Sequence, residues 1–219
     1  YHISLETDTE IIMHTLAYGL RGERMPALER VMKEVARSFD GAYNLVYLDA
    51  HGRMFVARDP YGFRPLHWAV QGKLFGAASE SVALANAGFS EIHALESGQM
   101  AVVEQGRLHF ERFAPMQNRS RCFFEWVYFA NVASTMAGTS VYVSRARAGQ
   151  RLAEMETEAV GEDAVVVPVP DTAKAAADAF AYALGVPSVE GLIRNRYVGR
   201  SFIEPRRTRT EMREQLANW

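Results

Sequence analysis

The 219 residues are 48% hydrophobic, 23% charged and 11% aromatic, and 24 basic side chains stand against 26 acidic ones, a net charge of −2. That is the make-up of a globular protein with room for one sizeable domain or two small ones, and it excludes a polycation that holds nucleic acid by its overall charge. The single cysteine, Cys122, excludes an intrachain disulfide and a metal cage built of cysteines alone. No apolar run approaches the roughly 20 residues of a membrane span and no basic-then-apolar leader opens the chain, so a cytoplasmic location is expected.

Thr7-Asp8-Thr9-Glu10 has the spacing of a capping box, and Ile11, Ile12, Thr15, Leu16 and Leu20 continue it as one apolar helical face. A second helix is predicted from Pro26, with Leu28, Val31, Met32, Val35 and Phe39 on its buried side and Gly41 to end it. The period then changes to that of strands. Ala42–Leu48 and Met54–Ala57 flank a turn at Ala50-His51-Gly52; Lys73–Ala78, Gln99–Glu104 and Arg107–Phe110 follow, the last two joined by Gln105-Gly106. Two helices followed by a run of antiparallel strands predict an α+β layer sandwich. The polar stretch Ala114–Ser120 reads as a domain boundary, giving domains at 1–115 and 121–219.

The second half has another rhythm. Cys122–Ala130 and Ser140–Val143 are predicted as strands and Ala146–Ala159 as a helix; Ala164–Val169, a β-branched run, reads as a strand buried on both faces. It passes through Pro170-Asp171-Thr172 into the Ala-rich helix Ala173–Leu184, which Gly185 ends. Strand, tight polar turn and helix form the α/β unit whose turn binds ligands at the carboxyl edge of a parallel sheet. Backbone N–H groups at the start of that helix favour an anion, Thr172 offers a hydroxyl to a phosphate or a magnesium ion, and Asp171 offers a carboxylate to the metal. The competing reading is that either side chain merely caps the helix. All six histidines precede residue 110, which excludes a histidine acid/base pair or zinc site in the second half. Cys122 reads as an inert, buried thiol, and Glu125 beside it is costly to bury unless paired. Seven arginines between Arg194 and Arg213 face only two glutamates. Arg194, Arg196 and Arg200, set among Asn195, Tyr197 and Gly199, match a diphosphate clamp, a solvated basic loop or a groove for single-stranded nucleic acid.

Arg58-Asp59-Pro60-Tyr61-Gly62-Phe63-Arg64-Pro65-Leu66, followed by Ala78-Ser79-Glu80-Ser81-Val82-Ala83-Leu84, resembles the glutaminase domain of class II amidotransferases, and Thr7-Asp8-Thr9-Glu10 falls where that domain carries its Ser/Thr-Asp-Thr/Ser-Glu motif. Cys122–Ala130 and Arg194–Ile203 look like the corresponding segments of the amidophosphoribosyltransferases, so the resemblance runs over nearly the entire chain. It implies an αββα N-terminal-nucleophile sandwich followed by the start of a Rossmann-like type I phosphoribosyltransferase. In that family ammonia taken from glutamine displaces pyrophosphate from phosphoribosyl pyrophosphate (PRPP), the first committed step of purine synthesis.

Residue by residue, the resemblance implies that Asp8 holds the glutamine α-ammonium, and that Thr172 with Asp171 binds the pyrophosphate end of PRPP and its Mg2+. It makes Arg196, Tyr197 and Arg200 the loop that closes over PRPP, and places Tyr128 between the two reactions. Cys122 matches a ligand of the [4Fe–4S] cluster that one branch of the family carries. Purine nucleotides as feedback inhibitors and a homo-oligomer are implied as well; nucleic acid and membrane partners are not. A family member should begin with Cys, whereas this chain begins at Tyr1 and stops before the ribose 5-phosphate loop. The expectation is therefore a middle portion with neither half-site complete, inactive alone. Two rival readings are a catalytically dead regulatory or assembly module of the same fold, and nucleic-acid binding through Arg194–Arg213, which predicts strongly salt-dependent association.

Overall fold

The computed structural model describes residues 7–22, 25–117, 120–161 and 163–195. The chain forms two compact units, Tyr1–Arg145 and Ala146–Trp219.

In the first unit α1 spans Asp8–Gly19. Thr7 is its N-cap and accepts the Glu10 N–H on Oγ1 at 3.4 Å, while Asp8 and Glu10 place negative charge at the positive end of the helix. The predicted face is corrected at one position: Leu16 is buried and Ile12 and Leu20 pack on the core, but Ile11 is 53% exposed. Helix α2, Leu28–Val35, buries Leu28, Val31, Met32 and Val35 as its spacing predicts. It ends well before Gly41, because the chain tightens into a 3₁₀ turn at Ala36–Ser38, where the Ser38 hydroxyl donates to the Val35 carbonyl at 2.7 Å.

Seven strands follow: β1 Asn44–Leu48, β2 Met54–Arg58, β3 His67–Gln71, β4 Leu74–Ala78, β5 Ile92–Ala94, β6 Gln99–Glu104 and β7 Arg107–Arg112; helix α3, Ser81–Asn86, lies between β4 and β5. They form two antiparallel sheets, ordered β1-β2-β6-β7 and β4-β3-β5. The two-residue period of β2 and β6 builds the layers. Phe55, Ala57, Met100 and Val102 pack against the α1 and α2 side chains, and Val56 and Ala101 point the other way, into a cluster with Leu66, Leu95, Trp68, Phe75 and Ala77. On the far face of the second sheet α3 packs against β3, β4 and β5. Gly76 permits this approach, since a Cβ there would lie 2.8 Å from the Phe89 ring and 3.1 Å from Leu84. Helices, sheet, sheet, helix: the unit is an αββα sandwich.

The β1–β2 turn is held by Asp49. Its Oδ1 accepts the N–H groups of His51 and Arg53, each at 2.9 Å, and Oδ2 accepts Arg53 Nε at 2.7 Å. Burial alone would raise the Asp49 carboxyl, but the Arg53 hydrogen bonds and charge, with the His51 N–H, outweigh it and hold the group below its ordinary value. A carboxyl depressed by folding stabilises the native state above its unfolded pKa of about 3.9, and that contribution disappears as pH falls through the folded value. Asp49→Asn is therefore expected to be less stable than the parent at neutral pH. In urea titrations across pH the gap should close below about pH 4; a pH-independent gap would contradict the assignment.

Two predicted strands after residue 120 are corrected. Cys122–Ala130 is a helical turn, of π type over Glu125–Phe129, because buried Glu125 is paired with Arg64 and Arg145 takes the carbonyls of Trp126 and Ala130. These tertiary bonds override the β propensity of its aromatic residues. Ser140–Val143 is no strand either. β8 Thr135–Met136 and β9 Thr139–Ser140 make a small hairpin around Ala137-Gly138, both at positive φ, and α4 runs from Val141 to Met155. The Ser140 hydroxyl accepts the Val143 N–H at 3.4 Å and starts that helix.

In the second unit, Ala164–Val169 contributes only Val166, which bridges Ser188 in parallel; its N–H reaches the Pro187 carbonyl at 2.9 Å and its carbonyl accepts the Val189 N–H at 2.9 Å. Val165, Val167 and Val169 are exposed, so the expectation of a run buried on both faces is corrected. The parallel sense of the pairing is that of a strand–helix–strand crossover. Helix α5, Lys174–Leu184, ends at Gly185 in the left-handed conformation, as predicted.

Candidate functional site

The loop Arg58–Leu66 consumes most of its own charges. Asp59 is fully buried and accepts the N–H groups of Tyr61 at 2.9 Å and Phe63 at 3.2 Å. Arg58 donates to the carbonyls of Leu95, Gly62 and Arg64 at 2.7–2.9 Å. Gly62 stands at φ +61°, and a Cβ there would sit 2.1 Å from the Ser97 hydroxyl. Arg64 is the residue the loop turns outward: its Nη1 lies 2.6 Å from Glu125 Oε1, and its guanidinium sits 4.8 Å from the centre of the Phe129 ring.

The second motif is arranged similarly. Glu80 Oε2 accepts the Asn131 N–H and the Ser134 hydroxyl, both at 2.7 Å. Ser81 exchanges hydrogen bonds with the Thr135 backbone, and the His67 ring contacts the Ser79 carbonyl at 3.1 Å. Burial holds the His67 imidazole below its ordinary pKa, with the Ser79 hydrogen bond opposing. Between the motifs lies a cavity of about 330 Å³ whose walls include Tyr43, Asn44, Arg64, Glu80, Glu125 and Phe129. Tyr43 Oη and Asn44 Oδ1 are buried without a hydrogen-bond partner among the described residues. Burial, and then the Asp59 charge, push the Tyr43 phenol far above its ordinary pKa, so it stays a hydroxyl. The polar side chains on the cavity wall include a phenol, an amide, two carboxylates and a guanidinium.

Asp8 opens α1, is exposed, and is not part of this cavity's lining. Tyr128 lies on the helical turn, 47% exposed beside Phe129, and Cys122 is half-buried with its N–H on the Phe63 carbonyl at 3.1 Å. In the second unit, Asp171 follows a cis peptide and faces Arg194 at 3.6 Å. Thr172 stands just before Ala173, and no side chain caps α5. The N-cap position is thus held by Ala173 and not by Asp171 or Thr172. Lys174 pairs with Glu190, and Ser188 donates to Asp178 at 2.7 Å. Arg196, Tyr197 and Arg200 lie outside the described residues. No group of three or more His, Cys, Asp or Glu side chains is placed to hold a metal, and no helix is long and apolar enough to cross a membrane, among the described residues. Sequence reasoning missed Arg64, Glu80, Ser134 and Arg145 as a connected set; the first two stand inside the motifs, but their partners lie 61 and 54 residues away.

Residues 1–86 match the glutamine amidotransferase domain family. The amidophosphoribosyltransferase of Methanothermobacter thermautotrophicus is 36% identical over 210 residues, covering 96% of this chain and 43% of that protein; that of Bacillus subtilis is 35% identical over 199 residues, covering 91% and 40%. The solved glutamine PRPP amidotransferase of B. subtilis, complexed with ADP and GMP, superposes with a TM-score of 0.80 at 34% identity over 98% of this chain and 45% of that one. A second structure, of the allosteric regulatory enzyme of purine biosynthesis, gives 0.81 at 34% identity over 98% and 44%. The chain spans less than half the length of these relatives, and the fold is theirs: an N-terminal-nucleophile glutaminase sandwich leading into a Rossmann-like unit. Over nearly its whole length the chain is thus similar, in sequence and in fold, to part of the amidophosphoribosyltransferases, and its first 86 residues match the glutamine amidotransferase domain.

Proposed function

We propose that the chain is part of an amidophosphoribosyltransferase, in which ammonia released from glutamine attacks the anomeric carbon of PRPP, pyrophosphate leaves, and 5-phosphoribosylamine forms. The observation that carries this reading is the alignment over 96% of the chain, which takes in both units. In the first unit Asp8 would hold the α-ammonium of glutamine by a charge-assisted hydrogen bond. In the second, the N-terminus of α5, with Thr172, would receive the pyrophosphate end of PRPP. Asp171 and Thr172 are hard oxygen donors, of the kind Mg2+ takes, and would hold that ion, which supplies positive charge to the leaving pyrophosphate. Arg196, Tyr197 and Arg200 would close over PRPP, and Tyr128 would line the path of ammonia; shutting out water there prevents ammonia from being lost or protonated. Cys122 would serve as one ligand of a [4Fe–4S] cluster, which needs more cysteines than the one in these 219 residues. Purine nucleotide inhibitors and a homo-oligomeric, cytoplasmic enzyme belong to the same reading, the nucleotides supported by the relative solved with ADP and GMP.

The test is pyrophosphate release from PRPP and Mg2+ by the full-length protein, with either glutamine or ammonium as donor. Release with both is expected, with the 219-residue polypeptide alone hydrolysing no glutamine. No release with either donor overturns the proposal.

A further inference from the structure

The turn that carries Tyr128 is tied to the sandwich at two points. Arg64 grips its beginning through Glu125, and Glu80 grips the segment after it. The second attachment is the more elaborate. Ser134, whose hydroxyl Glu80 accepts, is fully buried; its carbonyl takes the N–H of Val141, the first residue of α4, at 3.0 Å, and the Val132 carbonyl takes that of Tyr142 at 3.2 Å. From α4, buried Arg145 reaches back to the carbonyls of Trp126 and Ala130, each at 2.8 Å. Burial lowers the Arg145 pKa and the Glu80 charge opposes that shift, so Glu80 is also a counter-charge for this guanidinium. One carboxylate thereby joins the second motif, the loop 131–134 and the start of α4.

We propose that Glu80 is a positioning residue for ammonia transfer: by fixing the turn of Tyr128 on the sandwich, it keeps glutamine hydrolysis and PRPP consumption in step. This rests on the amidophosphoribosyltransferase reading. A partly buried carboxylate is a costly way to hold a loop, and what it secures in return is a single geometry. Ammonia is the shared intermediate, and it escapes wherever the enclosing wall is loose.

The experiment measures glutamate and pyrophosphate together in the full-length protein and its Glu80→Ala, Glu80→Gln and Ser134→Ala variants. Losing charge-assisted hydrogen bonds should lower glutamine-driven pyrophosphate release about tenfold in Glu80→Ala, while ammonium-driven release stays within about twofold. Glutamate formed per pyrophosphate should rise above parity. Glu80→Gln keeps an acceptor oxygen without the charge and should uncouple less. Ser134→Ala removes one of the two contacts and should move the ratio the same way, which keeps the test alive if Glu80→Ala fails to fold. Both donor activities falling together at an unchanged ratio, or neither changing, would overturn the assignment. A parent protein that releases no pyrophosphate with either donor would instead sink the reading beneath it.

Discussion

Arg64→Ala is expected to destabilise the first unit by about 3 kcal/mol, the low end of the cost of breaking a buried ion pair. Glu125 sets the size of the effect: its side chain is 8% exposed and faces the Arg64 guanidinium at 2.6 Å. Without arginine a carboxylate stays buried with no counter-charge. Arg64 itself is 49% exposed, which keeps the estimate at the low end because solvent screens that side of the pair. The guanidinium also rests over Phe129, so the substitution removes packing along with charge. A double-mutant cycle separates these contributions. Arg64→Ala combined with Glu125→Gln should be less damaging than Arg64→Ala alone, since a neutral amide is far cheaper to leave unpaired than a carboxylate. Urea unfolding measures all three variants. A loss below about 1 kcal/mol for Arg64→Ala would class the pair with surface ion pairs of little worth.

Gly149→Ala should also destabilise, by about 2 kcal/mol, although alanine is the best helix former and helix propensity by itself predicts a gain of about 1 kcal/mol. The glycine is buried in α4, where it meets α5. A Cβ at this position would lie 1.9 Å from the Ala176 carbonyl oxygen, 2.7 Å from its carbon and 2.9 Å from its Cα. All three are backbone atoms of a helix, so none can rotate away, and relief requires the two helices to part. Overpacking of this kind outweighs propensity. Gly185→Ala is the control: nothing lies within 4 Å of its Cβ, and the strain comes only from φ +72°, worth about 1 kcal/mol. Thermal melts of the two variants should rank Gly149→Ala lower. A stabilised Gly149→Ala would mean that the two helices do not approach as described.

How far the sequence can be read depends on the distance between cause and effect along the chain. Thr7 and Glu10 are three residues apart, and the capped start of α1 follows from them. The buried face of α2 repeats within eight residues, and β6 and β7 are joined by Gln105-Gly106, both at positive φ, as a hairpin requires. These elements, the αββα layering and the kinship carried by the motifs at Asp8, Arg58–Leu66 and Ala78–Leu84 were legible without coordinates. β3, β5 and α3 were not. β5 has only three residues, and β3 is covered on both faces, so neither displays a period of two long enough to see.

The aromatic run Cys122–Ala130 shows the other limit. Its composition favours a strand, and only the tertiary structure makes it a helical turn, because Glu125 must reach Arg64 and Arg145 must reach the carbonyls of Trp126 and Ala130. For the same reason, nothing local in the sequence separates Glu80 from a surface glutamate. Its partners are 51 and 54 residues away, and the folding of the sandwich alone brings them within hydrogen-bonding distance. Caps, periods and turns are short-range physics written into neighbouring residues. The pairing of buried charges is long-range, and it exists only once the layers have closed around them.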